Sequence, residues 1–498
     1  MLKIRQALIS SYEKEGIIEL AKTLDELGIE IFATGGTADK LKKAGIKVRW
    51  TSELTGFPEI LGGKVKTLHP DIFAKILATE EEAEKLGIER FQLLVVNLYP
   101  PDKEPDIGGV SLIRAGIKAQ DRTLVLVSPE DYNLLRLILK NTGGVPDDIL
   151  RELNKKAALY VIKYQLENYK EYFGYDVLPY VFEKYMELKY GTNPQRKAYV
   201  LINYGYPPDF EVLKNDLSLN NLYDADSATR CALSCGRIFG DKVCACIVKH
   251  GSPCGVALAD DPKEAISKAW DSDPKSAYGG IIAISSFFPE YAADSLKDKF
   301  VEVIVAPSFD DMALQKLYKK RARIIRAGEN FTKKIIEIKS SMGAFTYEEY
   351  SEDDEDIKEE DMKPTWNFDF SEEEIKELVF AYQVARFTKS NAIVISTNFQ
   401  TIGIAGGFTS RVDATEFAIK KAKEFISRKN NNVPQKIFVA SDGFFPFPDS
   451  VELLRENFKE QELFVAQPGG SVRDGEVIEK AKKLNIKMFI TGKRCFRH

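Results

Sequence analysis

Histidine, the side chain that titrates nearest neutral pH, occurs three times in 498 residues, at His69, His250 and His498. His250 follows Lys249 at the end of the apolar run Val243–Val248 and precedes Gly251, Ser252, Pro253 and Cys254. A lysine and a histidine at a strand's carboxyl end stand where α/β proteins place ligands, so the pair suits proton transfer at a bound group. A structural histidine with its bonds satisfied is the plainer alternative. Lys64 and Lys66 flank Val65 in GGKVKTLHP, Gly62–Pro70, and an extended backbone would turn both ammonium groups to one side, toward an anion or toward solvent. Thr34, Gly35, Gly36 and Thr37 follow the run Ile29–Ala33 and open a helix. Close backbone approach, hydroxyl donors and free helix-terminal N–H groups suit a phosphate there, although a strand-to-helix turn without a ligand has the same composition. Tyr99, Asp106 and Lys118 add titratable groups, each of which alone is more often structural.

His250 with Cys254 superficially suggests zinc. A zinc deaminase needs a glutamate two residues after its ligand and a paired Cys-x-x-Cys, and Ser252 and Ala257 stand in those places. The histidines fall in separate motifs without ligand spacing, so no metal site is expected. Five of the six cysteines crowd into 231–254, with Cys244 and Cys246 on one strand face, and read as buried hydrophobes in a reducing, cytoplasmic setting.

The elements that must position these groups follow from periodicity. Gln6–Ser10, Ile29–Ala33, Leu93–Leu98 and Thr123–Val127 read as buried parallel strands, with helices from Ile17 and Ala38 between them, a doubly wound α/β pattern. Residues 150–185, polar and rich in Tyr and Lys, read as a helical connection between domains. Further strands are expected at Val243–Val248, Ile281–Ser285, Val301–Val305, Asn391–Ser396, Thr401–Ile404, Ile437–Ala440, Leu463–Ala466 and Lys487–Ile490, in two similar α/β layers. Between the layers Glu348–Asp361 is so acidic that a solvated loop is expected. Ser371 with Glu374 forms a capping box before the stripe Ile375, Leu378, Val379 and Tyr382. The aromatic, basic ending RCFRH predicts a docked tail rather than a frayed one.

Length suggests roughly three compact units. Lys plus Arg number 70 against 75 Asp plus Glu, and 70 − 75 = −5 gives no basic footprint for nucleic acid. No apolar run of about 18 residues exists to cross a bilayer, and the apolar part of MLKIRQALISS is too short for a signal peptide, so neither a membrane nor a leader is expected.

TGGT, ELTGFPEILGGKVKTLHP, DIGGV, KYGTNPQ, KHGSPCG, SAYGGIIA, KSNAI, SDGFFPF, QPGGS and RCFRH occur in this order from Ser10 to His498. The sequence thereby resembles the bifunctional purine biosynthesis enzymes that carry AICAR transformylase and IMP cyclohydrolase on one chain. The resemblance implies a methylglyoxal-synthase-like cyclohydrolase domain over 1–180. It also implies a transformylase region over 181–498, of two cytidine-deaminase-like α/β layers divided near 345–370. In the first domain, Ser10, Lys14, Thr34, Gly35, Gly36, Thr37, Lys64 and Thr67 match substrate-binding positions, and Lys66, Tyr99, Asp106 and Lys118 the reaction centre.

In the second region the resemblance assigns His250 as base, Lys249 as a cation beside the formyl group and Asn391 as the residue that orients the formyl oxygen. Lys189, Tyr190, Asn221, Ser276, Gly279, Glu302, Arg411, Phe444, Asp449, Arg494, Phe496 and His498 match positions around the ribotide and folate. The implied co-substrate is 10-formyltetrahydrofolate, with no metal required and room for a structural monovalent cation. The implied assembly is a cytoplasmic homodimer. Two departures stand out: only residues 100–105 separate Tyr99 from Asp106, where the family has a longer loop, and Lys189 replaces a common arginine. A first domain that only senses a phosphorylated ligand is the competing reading; Lys66, Tyr99, Asp106 and Lys118 together are more than a sensor needs.

Overall fold

Five strands pair in parallel in the order Arg49–Trp50, Glu30–Ala33, Gln6–Ser11, Leu93–Asn97, Leu124–Leu126. They belong to a computed structural model that describes residues 1–173, 180–203, 207–328, 330, 333–430 and 433–498. Helices cover both faces of this sheet, which is why its central strands carry buried apolar runs. Ala7 and Ile9 meet helices Ile17–Glu26 and Glu130–Thr142, while Leu8 meets helices Pro70–Leu77 and Gly108–Lys118. Strand order reverses around Gln6–Ser11, so the crevice at the carboxyl ends of this strand and its two neighbours is the natural ligand position.

The connecting helix expected over 150–185 is instead part of this first unit, which spans Met1–Glu183. Helix Asp147–Phe173 buries Leu150, Leu153, Ala157, Val161 and Tyr164, a stripe at three- and four-residue spacing hidden among its lysines and tyrosines. Residues 174–179 of that expected connection lie outside the described residues.

The second unit, Lys184–Ile202 and Pro207–His498, is built on one twelve-stranded sheet. From edge to edge it runs Lys363–Pro364, Ile486–Ile490, Glu462–Gln467, Lys436–Ser441, Ile393–Thr397, Gln400–Ala405, Ser252–Ala259, Val243–Lys249, Gly280–Ile284, Val301–Ala306, Arg323–Ala327, Phe210–Lys214. Each half repeats one plan: a central antiparallel hairpin, a strand antiparallel to its first arm, two parallel additions and an antiparallel edge. The halves join where Ala257 pairs with Gln400, and the Val256 N–H donates to Thr401 Oγ1 at 2.9 Å.

Helices Leu219–Ile238 and Glu372–Arg386 cover one face of this sheet, and helices Pro262–Ser272 and Arg411–Arg428 lie on the other. The repeat reaches single residues. A Cβ on Gly255 would lie 2.0 Å from the Ala269 carbonyl oxygen and one on Gly403 2.2 Å from that of Ala418, so in both halves a glycine lets the helix backbone rest on the hairpin.

The acidic stretch is not a solvated loop. Strand Ala344–Tyr350 pairs with Ile335–Ser341, and the next residues enter the protein. Glu352 and Asp356 are buried, as is Ile357. Asp356 accepts from Ser234 Oγ at 2.6 Å, Arg237 Nη2 at 2.6 Å, Gln383 Nε2 at 2.8 Å and Arg386 Nη1 at 3.1 Å, while Glu352 pairs with Arg386 and lies 3.8 Å from Arg230. Composition alone excludes a core only for unpaired charges; arginines on both covering helices remove that objection.

Candidate functional site

In the first unit the crevice forms as the topology demands. Ser10, at the end of its strand, accepts from Thr34 Oγ1 at 3.4 Å, and Thr37 Oγ1 donates to the Ser11 carbonyl at 3.2 Å. Gly35, Gly36 and Thr37 open helix Gly35–Lys43, and the Gly35 N–H donates to Glu59 Oε1 at 2.8 Å. A carboxylate therefore stands where the helix terminus would receive an anion. Asn97 holds the loop that carries Lys14: its Oδ1 accepts the Glu13 N–H at 2.9 Å and its Nδ2 donates to the Glu13 carbonyl at 3.1 Å.

Lys66 Nζ lies 3.4 Å from Tyr99 Oη. Lys64 does not accompany it. Gly62 and Gly63, both at positive φ, fold this segment into a tight turn instead of an extended run, and Lys64 pairs with Glu104 at 2.7 Å. Thr67 is buried against the start of helix Gly108–Lys118, its Oγ1 2.9 Å from where a Gly108 Cβ would stand. Asp106 Oδ1 accepts the Gly109 N–H at 2.6 Å; burial pushes its carboxyl above the usual carboxylate range, against the pull of the Gly109 and Tyr99 N–H groups and Lys66.

The short 99–106 segment is stapled at both ends by a helix the sequence did not assign to the site. The Leu98 N–H donates to Tyr160 Oη at 3.1 Å and the Asp106 N–H to Tyr164 Oη at 2.7 Å. Lys118 is not brought to this group: it is exposed at the far end of its helix, roughly 15 Å of helix rise from Gly108. His69 caps helix Pro70–Leu77, its Nδ1 accepting the Asp71 N–H at 3.3 Å, and so shapes its loop.

In the second unit both halves contribute to one end of the sheet. Lys249 and His250 end one hairpin arm, and Lys249 Nζ donates to the Tyr278 carbonyl at 2.6 Å, beside Gly279 at φ 70°. Lys389 crosses from the other half: its Nζ donates to the His250 carbonyl at 3.2 Å and its N–H to Ser252 Oγ at 3.4 Å. Two residues on, Asn391 Nδ2 donates to the Phe408 carbonyl at 3.0 Å and its Oδ1 accepts from Arg411 Nη2 at 2.7 Å. Arg411, buried, also pairs with the fully buried Asp442, whose Oδ1 accepts the Ala392 N–H at 3.0 Å. Sequence spacing could not reveal Asp442 or Lys389 as framework, because their partners are distant in the chain.

The tail docks at this end. The Ser390 N–H donates to the Arg497 carbonyl at 2.9 Å and the Cys495 N–H to that of Asp442 at 3.1 Å, leaving Arg494, Phe496 and His498 exposed. Phe444 follows the strand Lys436–Ser441, and Asp449 begins helix Asp449–Asn457. Asn221 Nδ2 donates to Glu302 Oε2 at 2.9 Å, and Tyr190 accepts the Leu219 N–H at the start of the same helix, next to Lys189. Ser276 is turned elsewhere, its hydroxyl bound to Asp273, which pairs with Lys421. Cys231, Cys235, Cys244 and Cys246 are buried thiols, and desolvation raises Cys244 and Cys246. Among the described residues no group of three or more His, Cys, Asp or Glu is disposed to hold a metal ion, and no helix is long and apolar enough to cross a membrane.

Known proteins match over nearly the whole chain. A family model for the AICARFT/IMPCHase bienzyme matches residues 116–421 and one for the MGS-like domain residues 16–120. The bifunctional purine biosynthesis protein PurH of Aquifex aeolicus is 39% identical over 99% of this chain and 100% of its own. Those of Thermoanaerobacter sp. and Caldicellulosiruptor saccharolyticus are 36% and 37% identical over the same shares.

Proposed function

The chain belongs to the AICARFT/IMPCHase bienzyme family, whose two activities are the last two steps of purine biosynthesis leading to IMP, and we propose how its own residues divide that work. The second unit transfers a formyl group from a folate donor, taken as 10-formyltetrahydrofolate, to the amine of AICAR. The amine attacks the formyl carbon while His250 removes its proton; the tetrahedral centre then collapses with cleavage of the bond to the folate nitrogen, which takes up a proton. Lys249 and Asn391 face the oxygen on which negative charge develops, where fixed donors act more strongly than water does. The observation that carries this assignment is the Lys389 bridge, which ties the His250 turn of one half to the segment bearing Asn391 in the other.

The first unit closes formyl-AICAR to IMP. The carboxamide nitrogen attacks the formyl carbon and passes one proton to its oxygen; loss of water with the proton of the formamido nitrogen leaves the ring C=N bond. Lys66, polarised against Tyr99, stabilises the oxygen, Asp106 handles the amide proton, and the threonine and glycine turn at 34–37 holds the phosphate. A homodimer completes the proposal, its molar mass measurable by sedimentation. The test is a full-length assay with AICAR and 10-formyltetrahydrofolate that follows tetrahydrofolate and IMP separately. His250→Ala should lose most formyl transfer yet still close supplied formyl-AICAR; formyl transfer within a few-fold of the parent would overturn the base assignment.

A further inference from the structure

His250 occupies a turn that ordinary side chains avoid. It and Gly251 have φ of 56° and 76° between the paired residues Lys249 and Ser252, the pattern of a two-residue hairpin with both central residues left-handed. Such a turn leaves its two central N–H groups outside the ladder. Asp224, one and a half turns into helix Leu219–Ile238, takes both: the His250 N–H donates to Oδ2 at 3.0 Å and the Gly251 N–H to Oδ1 at 2.6 Å. One half-buried carboxylate thus fixes the two peptide units that aim the imidazole.

The other half of the sheet supplies an internal comparison. Its hairpin turns at Asn398 and Phe399, with φ of 51° and 53°, and the Phe399 N–H donates to Glu377 Oε1 at 2.8 Å. Glu377 lies five residues into helix Glu372–Arg386, as Asp224 lies five residues into its own. The carboxylate clamp therefore belongs to the duplicated scaffold, and in one copy alone does the clamped turn carry a histidine.

We propose that Asp224 is a positioning residue for formyl transfer, acting through His250 by gripping both N–H groups of its turn. The proposal rests on His250 as the base. Both carboxylate oxygens of Asp224 are taken by backbone N–H groups of the turn, so its loss should act on the aim of the imidazole rather than on binding. Displacement of a reacting group by about 1 Å is worth up to about 100-fold in rate.

The experiment uses the full-length protein and four variants, Asp224→Ala, His250→Ala, the double variant and Glu377→Ala, which removes the acceptor from the sister turn. For each, kcat and KM of formyl transfer are measured beside closure of supplied formyl-AICAR. Asp224→Ala should lower kcat of formyl transfer about 10- to 100-fold with KM for AICAR within about threefold and closure unchanged. The double variant should be no slower than His250→Ala alone, since the clamp has nothing left to aim. Glu377→Ala, at the turn without a histidine, should transfer formyl groups at the parental rate. Asp224→Ala at parental kcat while His250→Ala is inactive would overturn the positioning role and leave the base assignment standing. An active His250→Ala would instead remove the base assignment beneath it. A double variant slower than either single one, or an equal loss in Glu377→Ala, would reduce Asp224 to a general support of the fold.

Discussion

Glu377 offers the sharpest quantitative test of the second unit. Its side chain is buried, one oxygen accepts the Phe399 N–H and the other has no hydrogen-bond partner among the described residues. Burial, outweighing the N–H groups of Phe399 and Asn398, pushes its carboxyl from the ordinary 4.5 to about 8. For an acid with a raised folded value, the folded state keeps a proton that the unfolded chain releases. Its contribution to stability is full below pH 4.5 and is lost progressively as pH rises through 8. The loss runs at about 1.4 kcal/mol per pH unit and reaches about 5 kcal/mol above pH 8. Glu377→Gln is neutral at every pH and keeps an acceptor for Phe399. Its stability relative to the parent should therefore be near zero at pH 4.5, climb by that slope and level off above pH 8. Urea unfolding from pH 5 to 9 measures it. In a Trp50→Phe background the remaining tryptophans, Trp270 and Trp366, both report the second unit. Parallel stability profiles for the two proteins would refute the reasoning.

Asp106→Asn should lower closure of formyl-AICAR by about 100-fold or more and leave formyl transfer unchanged, read in the two-product assay. Arg386→Met strands Glu352 and Asp356 without a main partner and should destabilise the second unit by about 3–5 kcal/mol in urea unfolding. Glu59→Ala removes the carboxylate from the Gly35 N–H; it should weaken the first unit by about 0.3–1 kcal/mol while lowering KM for formyl-AICAR severalfold, as the anion position is vacated. A raised KM would show that Glu59 helps the substrate instead of standing in its place.

The parallel strands of the first unit and the central strands of the second are legible in the sequence because burial on both faces leaves uninterrupted apolar runs. Local turns are legible too, as at Thr34–Thr37, where the residues that open the helix are contiguous in the chain. What composition hides is pairing at a distance. Glu352 and Asp356 look solvated until Arg386 and Arg237 are seen facing them, and the tyrosines of helix Asp147–Phe173 look like linker until Tyr160 and Tyr164 are found holding Leu98 and Asp106. The alternation of Lys64 and Lys66 misleads for a local reason, the two left-handed glycines before them. The link between His250 and Asn391 is invisible in spacing, since Lys389 reaches the His250 carbonyl across 139 residues.

The seam between the two halves also bears on how the chain comes into being. Strand Ser252–Ala259 leaves the ribosome with Val256, Ala257 and Leu258 apolar and one edge open, and its partner residue Thr401 follows 145 residues after Val256. At ordinary rates of synthesis, about 5–20 residues per second, that edge waits roughly 7–30 s for its neighbour. An open apolar edge is a template for pairing with other chains. The early half of this sheet is thus the part whose yield should depend most on translation speed and on chaperones that shield unpaired strands.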